Sequence, residues 1–327
     1  MPAHVFVTDR INYDICMRRG VVGIPSADPN SRNANSTNDS LISRISIVKE
    51  GDYLFFYVTS EKVLYGIWQA EGVPFYDENN IWQGALYPYR VRFVNTAYNY
   101  RMPLKLHDIL DLQNEGKIWN FSLKRASGSN AMFSLSDSEF LLLLNEYSKI
   151  NPYTIQKQPI LEPYPVKSGG LLERIHLDAS GQIKYEAGVM AYLLSDLKQG
   201  KHKEIFGNYT DYLSYAPTTI GSEMDILLMF GNPMQPENIS SYDILELKRD
   251  IFDEKALTQL IGYETWFLQK RAQGDQKMVR TTAIAQSFSP NVVQYVKMRE
   301  RIEKRPVKLL KYSLNGRNEL MLQAVEQ

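Results

Sequence analysis

A proline-rich stretch near the middle of the chain limits what this sequence can fold into. Four prolines fall between residues 151 and 165, and a Ser-Gly-Gly run follows them. Proline lacks an amide N–H and clashes with the preceding helical turn, so this stretch can form neither a helix interior nor a central strand. We therefore predict two domains, residues 1–150 and 169–327, joined by a linker over residues 151–168.

The composition is that of an ordinary soluble protein. A length of 327 residues gives each domain enough chain to bury about two thirds of its unfolded surface. No apolar run reaches the roughly 18 residues that a membrane span requires, and Asp9 and Arg10 interrupt the N-terminus before a signal peptide could form. Cys16 is the single cysteine, so an internal disulfide is excluded. We expect a cytoplasmic protein without a membrane partner.

Two apolar strands in the second half each carry a carboxylate. Asp225 lies within residues 222–228, and Glu246 lies within residues 242–248. Side chains two apart on a strand share a face, so Glu246 and Lys248 point the same way. If the strands are neighbours, the two carboxylates can hold a hard cation such as Mg²⁺. The alternative is an ordinary half-buried strand, on which charged and apolar residues also alternate.

A helical pattern follows these strands at residues 256–267. It places Gln259 and Tyr263 at i and i+4 on one face. Strands and helix together resemble the PD-(D/E)XK nuclease family, and the Gln-x-x-x-Tyr element resembles its RecB-like branch. The resemblance covers residues 170–315 and implies a restriction-endonuclease-like domain, with a mixed β-sheet flanked by helices. It also implies that Gln259 and Tyr263 position the substrate strand.

The resemblance assigns roles at the carboxylates. Asp225 and Glu246 would be metal ligands, and the carbonyl of Leu247 would be a possible third oxygen. Lys248 would orient the attacking water or help to deprotonate it. The implied activity is that of a metal-dependent endodeoxyribonuclease with Mg²⁺ as the cofactor and Mn²⁺ as a possible substitute.

The family also places a carboxylate on a helix before these strands. Residues 184–194 have the pattern of that helix, so Glu186 is the candidate and Glu173 is the alternative. Met224 stands where the name-giving proline would be, a proline that many members lack. Elsewhere the four histidines are scattered and no Gly-x-x-x-x-Gly-Lys loop occurs, which disfavours a zinc cluster and ATP-driven action.

Several further elements can be predicted from residue patterns. Residues 135–147 follow serine and aspartate capping candidates and would form the closing helix of the first domain. Residues 279–285 and 307–314 have strand patterns, and residues 290–303 have a helical pattern between them. This alternation predicts a mixed sheet between helices.

Basic residues are concentrated near the C-terminus. Eight fall between residues 297 and 317, against two acids, although the whole chain has no formal net charge. Two interpretations stay open: a solvated helix face, or a surface that contacts phosphates. The residues that we predict to bind DNA are Lys297, Arg301, Lys304 and Arg305, together with Arg249 beside Lys248.

The first domain shows short strands rich in aromatic residues, a helix at residues 12–19 and a polar loop at residues 26–39. A Gly-Asp strand, a Gly-x-Trp strand and Trp82 before a basic strand resemble the EVE and YTH group of PUA-like domains. This resemblance implies an N-terminal PUA-like β-barrel with helices, which reads a modified base in DNA or RNA.

The resemblance also suggests a base pocket. Trp82 matches one aromatic wall, whereas Val22 and the following glycine occupy the place of the first family tryptophan. Extruding a base costs a few kcal/mol, and stacking the base on one aromatic ring contributes about 1 to 3 kcal/mol. We therefore expect Trp68, Tyr65 or the polar loop to contribute further contacts to the base. The alternative is that these aromatic residues are core, which we favour for Trp68 and leave open for Trp82.

The two resemblances together predict a modification-dependent DNA endonuclease, similar to type IV restriction systems. Its partner would be double-stranded DNA that carries a modified base. A homodimer is expected because cutting a duplex needs two cuts and the chain has one site, although paired nicks by monomers would also suffice. The alternatives are a repair or mismatch endonuclease, and a non-catalytic reader of modified RNA or DNA with a vestigial nuclease fold.

Overall fold

The chain forms two compact units, residues Met1–Ile175 and His176–Gln327. The computed structural model describes residues 3–97, 99–121, 131–157, 159–167, 170–219, 221–232, 234–315 and 319–325. Residues 158 and 168 of the predicted linker, residue 169 at the start of the predicted second domain and Arg317 in the basic segment lie outside these ranges. No helix in the described ranges is both long enough and apolar enough to cross a bilayer.

The described residues of unit 1 form a sheet of seven strands with four α-helices. Its strands are β1 (Ala3–Thr8), β2 (Val21–Ile24), β3 (Tyr53–Val58), β4 (Val63–Tyr76), β5 (Tyr89–Asn95), β6 (Leu104–Lys105) and β7 (Met132–Leu135). Its helices are α1 (Arg10–Arg19), α2 (Ala34–Ser46), α3 (Leu106–Asn114) and α4 (Asp137–Ile150). The strand order is β2-β5-β4-β3-β1-β7, with β6 paired to β4, and β1 pairs with β3 in parallel.

This sheet corrects the prediction of a β-barrel. Over the described part of unit 1, β2 and β7 end the strand order and do not pair with each other, so no barrel is closed. The polar loop predicted at residues 26–39 is also shorter than expected. Helix α2 starts at Ala34, because Leu41, Ile42 and Ile45 are buried on one face and the core determines the helix.

The predicted closing helix is present as α4. Ser136 accepts a hydrogen bond from the Glu139 main chain, and the Glu139 carboxylate accepts one from Ser136 N–H, which forms a capping box. Phe140, Leu143 and Tyr147 are buried with the strands. Local sequence and packing therefore favour the same element.

The proline-rich stretch packs onto unit 1. Ile155 pairs with Asn99 as an isolated β-bridge, and the Tyr164 hydroxyl donates to Asp77 at 2.8 Å and accepts from Arg90 at 2.5 Å. The prolines exclude regular structure there but leave side chains free to bind a neighbouring surface. The described part of the predicted linker, up to residue 167, thus belongs to unit 1, and the division falls after Ile175.

Unit 2 is a mixed six-stranded sheet with helices. Its strands are β8 (Asp211–Pro217), β9 (Glu223–Asn232), β10 (Gln235–Leu247), β12 (Val279–Ala285), β14 (Val307–Leu314) and β15 (Leu320–Ala324), in the order β15-β14-β12-β10-β9-β8. Strands β11 (Ile251–Phe252) and β13 (Ser287–Phe288) form a separate pair. The helices are α5 (Glu186–Lys198), α6 (Lys203–Phe206), α7 (Glu254–Lys270) and α8 (Pro290–Glu303).

The predicted strands at residues 279–285 and 307–314 and the helix at 290–303 are confirmed with the same bounds. Ser289 caps α8 and Pro290 occupies its first turn, which explains why the helix begins there. Strands β10, β12 and β14 are parallel, and β9 is antiparallel to β10. The prediction of a mixed sheet flanked by helices therefore holds for unit 2.

Candidate active site

Adjacent strands bring the two predicted carboxylates together. Ile226 on β9 pairs with Leu245 on β10, and the same register continued by one residue places Asp225 opposite Glu246. Residues directly opposite on antiparallel strands point to the same face. The main-chain N–H of Leu247 donates to Asp225 Oδ2 at 2.8 Å, which holds the Asp225 side chain against the end of β10.

Lys248 lies between the carboxylates of Glu246 and Glu186. Its Nζ donates to Glu246 Oε1 at 2.8 Å, to the Leu247 carbonyl at 2.9 Å and to Glu186 Oε1 at 3.3 Å. Its own main-chain N–H donates to the Ile284 carbonyl on β12, which extends the parallel ladder past the end of β10. The ammonium is therefore positioned by main-chain and side-chain contacts together.

Burial and charge shift the protonation equilibria of this cluster. Burial raises the pKa of Glu246 to about 7, an effect that attraction to Lys248 only partly offsets. Burial, followed by repulsion from Glu246 and Glu186, raises the pKa of Asp225 well above its usual range. Burial alone would lower the pKa of Lys248, but the surrounding carboxylates outweigh it and raise that pKa. Without a further cation these carboxyls therefore tend to retain protons, because ionising all of them would leave excess negative charge in the site.

Solvent reaches the cluster from one side. The Glu246 side chain is 1% exposed, whereas those of Lys248 and Glu186 are 24% and 41% exposed. Asp225 is half-buried. The exposed parts of Lys248 and Glu186 therefore place one end of the cluster at the surface of unit 2.

The predicted ligands fit a hard divalent cation. Glu246 Oε2 is buried and has no hydrogen-bond partner among the described residues, and such an orphaned oxygen is costly unless a cation or water satisfies it. In the described ranges, no group of three or more His, Cys, Asp or Glu side chains is arranged so that it could hold a metal ion by itself. Mg²⁺ needs no such group, because it is commonly held by one or two carboxylates, waters and substrate phosphate oxygens. Asp225, Glu246 and the Leu247 carbonyl are the groups that could hold it.

Of the two candidate helix carboxylates, Glu186 contacts the site. It is the first residue of α5, and its carboxylate lies 3.3 Å from Lys248 Nζ. Burial raises the pKa of Glu186, with attraction to Lys248 as the main opposing effect. Glu173 lies in a short 3₁₀ turn of unit 1, and Glu186 is the candidate that the structure places beside Lys248.

Gln259 and Tyr263 share one face of α7, as their spacing predicts. Gln259 Nε2 donates to the Tyr263 hydroxyl at 2.7 Å, and this hydroxyl donates to the carbonyl of Glu223 at 2.6 Å. Tyr263 is buried, whereas Gln259 is exposed. Tyr263 thus joins α7 to β9 at Glu223, two residues before Asp225. Gln259 is the member of the pair that solvent can reach.

The predicted DNA-binding residues divide into two groups. Arg305 lies 2.7 Å from the buried Glu264 carboxylate and is already engaged in an ion pair. Arg249, next to Lys248, donates to the Lys184 carbonyl and pairs with Asp250. Three cations on or just after α8 stay exposed: Lys297, Arg301 and Lys304.

The predicted base pocket is filled by core packing. Trp68 is 3% exposed and packs edge-on against Phe56 at 5.0 Å. Trp82 is 5% exposed, and its indole N–H donates to Cys16 Sγ at 3.3 Å. Val22 is also buried. These three residues therefore present no open face to a base, because the close packing of unit 1 surrounds them.

Tyr65, the fourth predicted pocket residue, is half-buried. Its ring stacks on Tyr13 with centroids 4.9 Å apart, and its hydroxyl donates to Glu61 at 2.7 Å. Both interactions tie Tyr65 to its own neighbours. Unlike Trp68, Trp82 and Val22, it keeps part of its surface accessible.

An open groove lies elsewhere in unit 1. It has a volume of about 1060 Å³ and is lined by residues 25–38, residues 85–89 and Tyr76. Asn35 and Thr37 line it with polar groups and the half-buried Tyr76 lines it with an aromatic ring, whereas Tyr89 is buried. The run of polar residues at 26–39 was the sequence feature from which this groove could have been predicted.

A Ser-His-Asp series in unit 1 is structural. His4 Nδ1 lies 2.9 Å from Ser134 Oγ, and His4 Nε2 lies 2.9 Å from Asp52 Oδ2. The three residues are 0%, 3% and 1% exposed, so no substrate could reach the serine. The same Asp52 oxygen accepts from Lys49 N–H, as expected of a buried polar network that fixes a turn.

The comparisons with known proteins leave the family open. No protein-family model and no curated protein sequence matches this chain. A hypothetical protein from Leishmania major is similar over 46% of this chain and 96% of its own, with 11% identity and a TM-score of 0.33. A repair endonuclease from Pyrococcus abyssi is similar over 36% of this chain and 46% of its own, with 15% identity and a TM-score of 0.26. At these TM-scores neither similarity identifies a shared fold, and function has to be inferred from the residues themselves.

Proposed function

We propose that this chain is a Mg²⁺-dependent DNA endonuclease whose site is formed by Asp225, Glu246 and Lys248. The observation that carries the proposal is the orphaned Glu246 Oε2, buried beside a second carboxylate and an ammonium. A cation at that oxygen would satisfy it and offset the repulsion between the carboxylates.

The chemistry of phosphodiester hydrolysis matches these groups. When bound, Mg²⁺ would stabilise charge on the phosphoryl oxygens and acidify a water. Lys248 Nζ, fixed by Glu246, Glu186 and the Leu247 carbonyl, holds its proton at neutral pH and can donate a hydrogen bond to a water or a phosphate oxygen. The exposed amide of Gln259 is available to the substrate strand.

We further propose that unit 1 recognises a modified base, which would make the whole protein a modification-dependent restriction endonuclease. The groove beside Tyr76 replaces the predicted aromatic pocket as the place for the base, because Trp68, Trp82 and Val22 are buried. Tethering such a recognition unit to a nuclease raises the local concentration of the cutting site near the mark. A homodimer would supply the two cuts that a duplex requires.

A plasmid assay tests the activity. Plasmids carrying cytosine methylation, cytosine hydroxymethylation or no modification would be incubated with the protein and 10 mM Mg²⁺ or EDTA. We expect cleavage of modified plasmid only, and only with Mg²⁺. Lys248→Ala should lower the cleavage rate by about 10²- to 10⁴-fold while DNA binding persists, and the exposed Lys255→Ala should cleave like the wild type.

Two other outcomes would identify the alternative functions. Preferred cutting of mismatched duplexes over modified ones would replace restriction with repair. Binding of modified RNA or DNA without cutting in Mg²⁺ or Mn²⁺ would make the chain a non-catalytic reader and refute the endonuclease proposal.

A further inference from the structure

The C-terminal part of α8 carries a stripe of cations. Lys297 and Arg301 lie at i and i+4 on one face of α8, and Lys304 follows as the left-handed C-cap residue of the helix. With Pro306 and one acid, Glu300, they line a groove of about 560 Å³. We call Lys297, Arg301 and Lys304 the basic stripe.

The cations of the basic stripe are not neutralised by the fold. Other basic residues nearby are engaged: Arg299 pairs with Glu264 and Glu303, and Arg305 pairs with Glu264. Among the described residues, no acidic side chain forms an ion pair with a member of the stripe. Glu300 leaves a net charge of about +2 in the groove.

The stripe lies away from the proposed cutting site. Glu246 is level with Ala283 on β12 and with Leu309 on β14, whereas Pro306 lies three residues before Leu309. At about 3.3 Å per residue, Pro306 is displaced roughly 10 Å along the strands, toward the edge where β14 begins. The stripe is therefore not part of the carboxylate cluster.

A second small groove adjoins the stripe at the same edge. Pro306 lines both grooves, and Arg280 and Lys308 add positive charge in the second one. That groove also contains the buried acid Asp243, which accepts from Thr282 at 2.9 Å and faces Arg280 at 4.0 Å. Positive charge thus continues from α8 around the start of β14.

We propose that the basic stripe is an anchoring surface for the phosphate backbone of duplex DNA, distinct from the site that cuts it. Seven residues of helix rise about 10 Å, a distance over which one strand of B-DNA presents about three phosphates. Three cations spread over this length thus match about three phosphates in number. The inference rests on the proposed function, since that function names DNA as the polyanion.

Salt-dependent binding to a fluorescent 30-base-pair duplex in EDTA tests the anchor without any cutting. Three phosphate contacts should contribute about 2.7 to the slope of log affinity against log salt, a loss of about 40-fold between 50 and 200 mM salt. The variant K297Q/R301Q/K304Q should lose that part of the slope. The control K255Q/K270Q/K277Q removes three exposed cations of the same unit and should keep the slope of the wild type.

The outcomes separate the anchor from the nuclease. An unchanged slope in the stripe variant, checked as folded by circular dichroism, overturns the anchor whatever the cleavage assay shows. A reduced slope in a protein that never cuts DNA supports the anchor and refutes the nuclease. Lys248→Ala should show the opposite pattern, with cutting lost and the slope lowered by at most about 0.9, the contribution of one phosphate contact.

Discussion

Asp225 and Leu247 are joined by a hydrogen bond of 2.8 Å from the Leu247 N–H to Asp225 Oδ2. This contact consumes one carboxylate oxygen and fixes Asp225 where β9 begins and β10 ends. Asp225 is thereby held opposite Glu246 although the two acids repel each other. Such an arrangement costs stability in the absence of a cation, and several predictions use this cost.

Asp225→Asn should make the metal-free protein more stable. The amide oxygen can still accept from the Leu247 N–H, while the buried acid that repels Glu246 and Glu186 when it ionises is removed, so the free energy of unfolding should rise. Thermal melting in EDTA should rise by a few degrees, and the increase on adding Mg²⁺ should disappear. Asp14→Asn, which removes an exposed ion pair, should change neither value. A lower melting temperature for Asp225→Asn would contradict the prediction.

The effect of Mg²⁺ on stability should grow with pH. Because the folded pKa of Glu246 is raised to about 7 from 4.5, the folded state binds more protons than the unfolded state between these values. The free energy of unfolding in EDTA should therefore fall as pH rises through this window. Metal ligands must be deprotonated, so the stabilisation by Mg²⁺ should increase from pH 5 to pH 8.

Melting curves at these pH values, with EDTA or 10 mM Mg²⁺, would measure the difference. Glu246→Gln has no proton to release at this position. In this variant, the difference in melting temperature between Mg²⁺ and EDTA should be small and independent of pH. A Mg²⁺ effect in the wild type that is constant across this range would count against Glu246 as a ligand.

Glu264→Gln should destabilise unit 2. Glu264 is buried between Arg299 at 2.5 Å and Arg305 at 2.7 Å, and the change leaves the buried Arg299 without its partner on α7. Removing one member of a buried pair costs about 3 to 5 kcal/mol. Urea unfolding should show this loss, whereas the exposed Glu204→Gln should stay within about 0.5 kcal/mol of the wild type. A loss below 1 kcal/mol would mean that α7 and α8 do not depend on the pair.

Tyr164→Phe should release the proline-rich stretch from unit 1. The Tyr164 hydroxyl links Asp77 to Arg90, and hydrogen bonds to charged groups contribute about 1.5 to 3 kcal/mol each. Limited trypsin digestion should then cut faster at Lys157 and Lys167. The exposed Tyr153→Phe should be digested like the wild type, and equal rates for all three proteins would show that Tyr164 does not hold the stretch.

The sequence by itself determined the local elements of unit 2 and the shared face of Glu246 and Lys248. Strand and helix patterns, with Pro290 at a helix start, predicted the first and last residues of β12, α8 and β14. The two-residue period of β10 was sufficient to place Glu246 beside Lys248, since both positions follow from strand geometry alone. These predictions depend on neighbours in sequence, and such neighbours are visible in one chain.

Only the tertiary structure decided which long-range contacts form. It brought Glu186 to Lys248, gave Arg305 to the buried Glu264, and enclosed Trp68 and Trp82 in the core. The sequence pattern around a basic or aromatic residue is the same whether its side chain faces solvent, a partner or the interior. Packing between distant segments selects among these outcomes, and no periodicity within one segment encodes that choice.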